Sequence, residues 1–259
     1  MLYSKKDKVL FFLPSFADGG AEETIVSLAN QFHKKKIKVF FLIGNKTGKN
    51  KDKLEKKINL INLDKDRLLK CLKPIKNILD KINPKVVITT LTHANLFFCI
   101  IKYFFKYNFK LIIRESNITP EKYFNFLEFL KFNLLNFLKK ILYNNADYVI
   151  AINYKSKQEL ISLGILRNKI KLFNNPSIKE NFVNKTKKKI VEKKLTNKRF
   201  ILYVGRFSRH KNLSFLIKVF SNIQKKVDIF LVLIGQGQEK QKLKDLVDRL
   251  NIKKKVFFL

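Results

Sequence analysis

Leu202-Tyr203-Val204-Gly205-Arg206-Phe207-Ser208-Arg209-His210-Lys211-Asn212 is the stretch that decides the fold. The run Phe200 to Val204 has the apolar, β-branched and aromatic character of a buried strand, and it ends in a glycine turn rich in cations. Beyond the turn, Leu213, Leu216, Ile217, Phe220 and Ile223 recur at helical spacing, with Asn212 the expected N-cap. A helix start presents unpaired backbone N–H groups and a partial positive charge, so Arg206 and Lys211 beside it suit a diphosphate. A basic connection whose cations face water fits the same residues, and the stretch alone leaves both readings open.

The same alternation of apolar runs and amphipathic segments extends in both directions, which is the pattern of a parallel sheet covered by helices. Strands are expected at Lys8–Leu13, Val39–Ile43, Val86–Thr90, Leu111–Arg114, Tyr148–Ile152 and Ile170–Phe173, with Ile58–Leu63 a short edge strand. Between them fall helices at Ala21–Lys35, near Pro74 to Ile82, Asn95–Lys106, Glu121–Tyr143 and Lys155–Leu163. Proline is tolerated in a first helical turn and costly inside, which places the second start near Pro74. After Asn175-Pro176 comes a lysine-rich, weakly patterned stretch. The strand and helix pattern then begins afresh, with further strands at Ile229–Ile234 and Lys255–Leu259 around a helix at Gln238–Leu250. The expected organisation is α/β: a domain over residues 1–176, a basic linker over 177–199, and the first half of a second doubly wound domain over 200–259.

Lys and Arg number 55 against 20 Asp and Glu, a formal charge of +35. That excess suits nucleic acid or an anionic membrane. The abundance of Lys, Asn, Ile and Phe, with no Trp and only 5 Pro, also fits coding biased toward A and T, in which case much of the charge is solvated face. The lysines are spread along the chain without a nucleic-acid-binding signature, so no specific nucleic acid is expected. Cys71 and Cys99 lie in apolar helical contexts without CxxC spacing, as reduced core residues of a cytoplasmic protein would. Val9–Leu13 is too short for a secretory core, and no run reaches the ~20 uncharged residues of a spanning helix. Zinc, EF-hand, Walker and serine-nucleophile motifs are absent from the sequence.

Polar residues gather where the apolar strands end, which is where open parallel sheets bind ligands. The first strand leads to Gly19-Gly20-Ala21-Glu22, in which the glycines permit close backbone approach; Glu22 either complements the helix dipole or faces a ligand. Thr92-His93-Ala94-Asn95 follows the strand ending at Thr90, and a histidine at that end has a claim to polar work. Arg114-Glu115-Ser116-Asn117 is either a self-satisfied ion pair and cap or a pocket lining. Asn153 and Asn174-Asn175 follow later strands, and Gly235-Gln236-Gly237 is a second glycine turn beside Gly205 that would let a base and ribose approach the backbone.

In this order, these segments, together with Ala146-Asp147-Tyr148-Val149-Ile150-Ala151 and Asn175-Pro176, resemble the GT-B glycosyltransferases of family 4. The resemblance implies two Rossmann-like domains facing a cleft. It implies a nucleotide-diphosphate sugar, with UDP the expected nucleotide, held by Gly205, Arg206, Lys211, Gly235 and Gly237. It implies an acceptor, a glycan or a lipid-linked sugar, held by Gly19, Gly20, Glu22, Arg114, Glu115 and Asn117. Arg206 and Lys211 would neutralise charge growing on the leaving nucleotide, and His93 would join them in catalysis. No cofactor and no metal are expected, and retention at the anomeric carbon is usual for such enzymes. The pathway implied is cell-surface polysaccharide or lipopolysaccharide synthesis. Relatives continue past the Val256–Leu259 strand into an acidic segment that binds donor sugar and ribose. The expectation is therefore a truncated enzyme, with an inactive fragment or a non-catalytic binding half as the alternative.

The helix expected at 121–143 carries Tyr123, Phe124, Phe126, Phe129, Phe132 and Phe137 together with Lys131, Lys139 and Lys140. The phenylalanines either pack against the sheet or, with the lysines, meet an anionic membrane on its cytoplasmic face.

Overall fold

The computed structural model describes residues 7–116, 126–175, 195 and 198–259. The chain divides into two units, Met1–Ser177 and Ile178–Leu259.

The first unit is built on a sheet of seven parallel strands: β1 (Lys8–Ser15), β2 (Lys38–Asn45), β3 (Asn59–Asn62), β4 (Val86–Thr90), β5 (Lys110–Glu115), β6 (Tyr148–Ala151) and β7 (Ile170–Leu172). Their spatial order is β3-β2-β1-β4-β5-β6-β7, with Leu10 in register with both Phe40 and Val87. The order reverses at β1, so the connections leaving β1 and β4 diverge and open a crevice beyond their carboxyl ends. Both faces of β1 are covered, which is why it reads as an unbroken apolar run instead of an alternating one. Val9, Phe11 and Leu13 join a core with Ile25, Val26 and Ala29 of α1 (Gly20–Lys34). Leu10 and Phe12 join the opposite core, with Ile75 and Leu79 of α2 (Leu72–Ile82) and Phe98 of α3 (Thr92–Phe105). Each such side chain contributes about 1.5–3 kcal/mol by leaving water. Pro74 sits in the first turn of α2, and Asn83, in a left-handed conformation with φ 48°, ends it. α4 (Phe126–Leu142) and α5 (Tyr154–Ser162) also belong to this unit. Both cysteines are buried thiols, and dehydration pushes that of Cys99 up to about 12.

The second unit has a parallel sheet of three strands, β8 (Phe200–Val204), β9 (Phe230–Ile234) and β10 (Val256–Phe258), in the order β10-β9-β8. α6 (Leu213–Ile223) and α7 (Lys240–Arg249) supply Leu213, Ile217, Phe220, Leu243 and Val247 to a core with Leu231, Leu233 and Val256. Phe207, at the end of the opening glycine turn, is fully buried in it.

Three expectations change. α3 begins at Thr92, ahead of the expected Asn95, because Asn95 is a buried polar residue inside the helix. The Thr89 hydroxyl donates to Asn95 Oδ1 (2.7 Å), and Asn95 Nδ2 donates to the Arg114 carbonyl (3.0 Å). Asn212 precedes α6 without a side-chain capping bond: its backbone is left-handed (φ 48°, ψ 40°) after a single 3-10 turn, Arg209–Lys211. Phe126 and Phe137 do not bury against the sheet; they are 70% and 59% exposed. The inward face of α4 is Leu135, Leu138 and Leu142 with Lys139, because those positions share a helical phase that Phe126 and Phe137 do not.

Candidate active site

In the first unit the crevice residues come from the ends of β1, β4 and β5. Gly19 precedes α1, and its carbonyl accepts the Glu23 amide (3.0 Å). A Cβ at Gly19 would stand 1.9 Å from Glu22 Oε2, so the Glu22 carboxylate folds back over the glycine and is nearly buried. A Cβ at Gly20 would meet nothing within 4 Å. The loop is pinned by a residue that sequence reasoning missed. Asn50 is 2% exposed and donates to the Ala17 carbonyl (2.5 Å), in an ordinary polar stretch whose only signal is Gly48 two residues before it.

His93 lies in the first turn of α3 and is exposed. Dehydration lowers its pKa from the ordinary 6.5, the Glu22 carboxylate opposes that shift, Lys131 adds to it and Glu115 opposes it. Arg114 is 6% exposed at the end of β5. Its guanidinium donates to Thr90 Oγ1 (3.0 Å) and to Asn175 Oδ1. Burial holds its pKa below the usual arginine range, against the pull of Glu115 and Glu22. His93 and Arg114 are therefore each within electrostatic reach of Glu22 and Glu115, although Glu22 is far from them in sequence.

Glu115 behaves differently from its neighbour. It is 1% exposed, which leaves its carboxylate almost no surface for an acceptor. Thr92 Oγ1 donates to its Oε1 (3.1 Å), the Tyr143 hydroxyl donates to its Oε2, and Lys139 Nζ lies 3.6 Å from Oε2. Burial first, then the carboxylate, hold the Tyr143 phenol well above its ordinary range. This network ties the start of α3, which carries His93, to the end of α4. Lys139, expected at a basic surface, is thus a buried counter-ion. Asn153 is also structural: its side chain accepts the Ser156 amide (2.8 Å) in a capping box that starts α5. Asn117 lies outside the described residues.

In the second unit the turns after β8 and β9 are laced together. The Gly205 amide donates to the Ile234 carbonyl (3.0 Å), the Phe207 amide to the Gln236 carbonyl (2.9 Å), and the Glu239 amide to the Phe207 carbonyl (3.1 Å). A Cβ at Gly235 would stand 1.9 Å from the Gly205 carbonyl oxygen, and one at Gly237 would stand 2.3 Å from that of Phe207. Both have positive φ, 152° and 157°. These two glycines thus serve the close approach of one turn to the other. Arg206 and Lys211 are exposed, and the Arg206 carbonyl accepts the Tyr203 hydroxyl (3.0 Å). A pocket of about 240 Å³ opens beside them, between the start of α6 (Ser208, Arg209, Asn212, Leu213, Ser214) and α7 (Glu239, Leu243). Its lining does not include Arg206 or Lys211. Ser208, Arg209, Ser214 and Glu239 were not singled out in the sequence, although each lies within three residues of one that was.

Two parallel-sheet, Rossmann-like units with polar residues at their strand ends define a GT-B glycosyltransferase architecture. The family model described as Glycosyltransferase Family 4 matches residues 18–176, and that of the glycosyl transferases group 1 matches residues 184–259. The first match covers more than half the chain, and the chain belongs to this glycosyltransferase family. It is 30% identical over 153 residues to the N-acetylgalactosamine-N,N'-diacetylbacillosaminyl-diphospho-undecaprenol 4-alpha-N-acetylgalactosaminyltransferase of Campylobacter jejuni, covering 58% of this chain and 39% of that protein. Each curated relative it matches is covered over less than half of its own length. Among solved structures, Anabaena Alr3699/HepE in complex with UDP-glucose superposes with a TM-score of 0.74 at 17% identity, covering 97% of this chain and 68% of that one. The lipopolysaccharide outer core galactosyltransferase WaaB, in its apo form, gives 0.61 at 21%, covering 97% and 67%.

Proposed function

We propose that this chain moves a sugar from a nucleoside-diphosphate donor, UDP the expected nucleotide, to a glycan or lipid-linked acceptor during synthesis of cell-surface polysaccharide or lipopolysaccharide. The observation that carries the reading is the laced pair of glycine turns in the second unit, which holds the exposed Arg206 and Lys211 around the start of α6. Two cations there suit a diphosphate, and the family supplies the reaction class. The names of the relatives support the finer terms: the Campylobacter enzyme is named for a diphospho-undecaprenol acceptor, and the Anabaena protein was solved with UDP-glucose.

In this reading the bond between the sugar's anomeric carbon and the diphosphate oxygen breaks, its electron pair leaves with the nucleotide, and an acceptor hydroxyl bonds to that carbon and gives up its proton to the departing diphosphate or, through it, to solvent. Arg206 and Lys211 neutralise the charge that develops on the leaving diphosphate, a task that otherwise falls to a divalent cation. Gly19, Gly20, Glu22 and Arg114 position the acceptor. His93, neutral above its lowered pKa, accepts a hydrogen bond from a sugar hydroxyl. The sugar is a hexose or an N-acetylhexosamine, transferred with retention.

Thermal unfolding of the whole chain with and without UDP tests this. At about 100 times its Kd, a ligand that binds only the folded state adds about 2.7 kcal/mol. Arg206→Ala and Lys211→Ala should each remove the UDP-dependent rise in Tm. A rise that survives both substitutions would place the diphosphate elsewhere.

A further inference from the structure

We infer that the turn ahead of α3 is strained at Leu91 and is held in place by the end of β5, which makes Glu115 a positioning residue for His93. β4 ends at Thr90 and α3 begins at Thr92, so Leu91 alone turns the chain between them. Its backbone stands at φ 74°, ψ 129°, a region that glycine enters freely and a side chain as bulky as leucine enters only at a cost. Two other helix starts in this unit are managed differently. α1 follows Gly19, and α5 opens on the Asn153 capping box. α3 has neither a glycine nor a side-chain cap at its start.

A non-glycine residue persists in such a conformation only where its surroundings over-determine it. Here both flanks of Leu91 are tied to two consecutive residues of β5. On one side, the Thr90 hydroxyl donates to the Arg114 carbonyl (3.3 Å) and accepts from the Arg114 guanidinium (3.0 Å). On the other, Thr92 Oγ1 donates to Glu115 Oε1 (3.1 Å). The Leu91 carbonyl itself accepts the Asn95 amide (2.9 Å). Glu115 is fixed in turn by Lys139 and by the Tyr143 hydroxyl. A buried ion pair of this kind adds little net stability over apolar groups of the same volume, so its contribution is to be sought in the geometry that it imposes. That geometry ends at His93, the residue after Thr92, whose exposed side chain is carried on the first turn of α3. What His93 then does to a sugar hydroxyl rests on the proposed function, whereas the hold on its turn does not.

NMR of the full chain tests it, with the His93 ring assigned among the 3 histidines through His93→Gln and read at about pH 8, where the ring is neutral. Thr92→Val removes the hydroxyl with no change of charge and little change of shape. It should displace or double the His93 ring cross-peak while lowering Tm by about 10 °C or less. Adding Leu91→Gly should bring the cross-peak back, because glycine keeps φ 74° without being held. Leu91→Gly alone should leave the cross-peak where it is. Glu115→Gln should repeat both the displacement and the rescue; if it does not fold, Tyr143→Phe, which loosens the same carboxylate from its other side, takes its place. A network that served stability alone would lower Tm with no displacement, or with one that the glycine does not rescue. Either result would overturn the inference, as would a cross-peak moved by Leu91→Gly alone, or one displaced by Thr92→Val and not by the change at Glu115 or Tyr143. These substitutions all lie in the first unit, whereas Arg206 and Lys211 belong to the second, so the UDP-dependent rise in Tm should persist in each. Its absence from the wild-type chain would count against the sugar-transfer reading, and the His93 cross-peak would still decide whether Glu115 holds the turn.

Discussion

Replacing Gly235 by alanine probes the laced turns of the second unit directly. The new Cβ would lie 1.9 Å from the Gly205 carbonyl oxygen, 3.0 Å from its carbon and 3.1 Å from Phe207 Cε1. The first two are backbone atoms of the facing turn, so relief requires the two turns to separate. Separation breaks the Gly205–Ile234 and Phe207–Gln236 hydrogen bonds, each with a net value of about 1 kcal/mol. Holding a non-glycine residue at φ 152° adds strain. With that strain at about 1–3 kcal/mol, the expected loss is about 3–5 kcal/mol. In a unit of this size, each kcal/mol moves Tm by about 4–8 °C, so the transition reporting the second unit should fall by more than about 10 °C. Hydrogen exchange read by mass spectrometry should show the amides of Gly205, Phe207 and Glu239 losing protection together. Gly20→Ala is the matched control: nothing lies within 4 Å of its Cβ, and it should be close to neutral. A Gly235→Ala chain that keeps both its Tm and the protection of those amides would refute the account of the turns.

Two further outcomes follow from the first unit. His93 should titrate below 6.5 by NMR, and Glu22→Gln should lower its pKa further by removing an opposing charge; because the folded form binds the proton less readily than the unfolded chain, stability should be unaffected by His93 above about pH 6.5 and fall as pH drops below it, a slope that His93→Gln reduces, whereas a pKa at or above 6.5 would contradict the site's electrostatics. Tyr143→Phe removes a donor to the buried Glu115 carboxylate and should cost about 1–3 kcal/mol in urea unfolding, while an unchanged midpoint would mean that the carboxylate is satisfied without it.

Strands and helices were legible wherever short-range periodicity was strong. Val86–Thr90 appears with the expected bounds, and β3 lies at the sheet edge as its weak alternation suggested. The start of α3 was not legible. Asn95 is polar, so the sequence places it at the start of the helix, although its amide is used inside the fold by Thr89 and the Arg114 carbonyl. Within the candidate site, Gly19, Glu22, His93 and Arg114 could be picked out because polar residues follow apolar strands at their carboxyl ends. The partition of Arg114-Glu115 could not, because adjacent residues of a strand point to opposite faces, and what covers each face is decided by other elements.

The sequence by itself determined the element types, the restart of the pattern after the first unit and the glycine positions, because these depend on residues a few places apart. Tertiary structure decided which groups meet. The reversal of strand order at β1 brings Glu22 within electrostatic reach of both His93 and Arg114. The rotation of α4 about its axis buries Lys139 against Glu115 and leaves Phe137 in solvent. Gly235 and Gly237 are where one turn presses against another, a contact that the sequence alone does not show. Periodicity specifies that a helix has faces, and only packing against the rest of the chain selects the one that is buried.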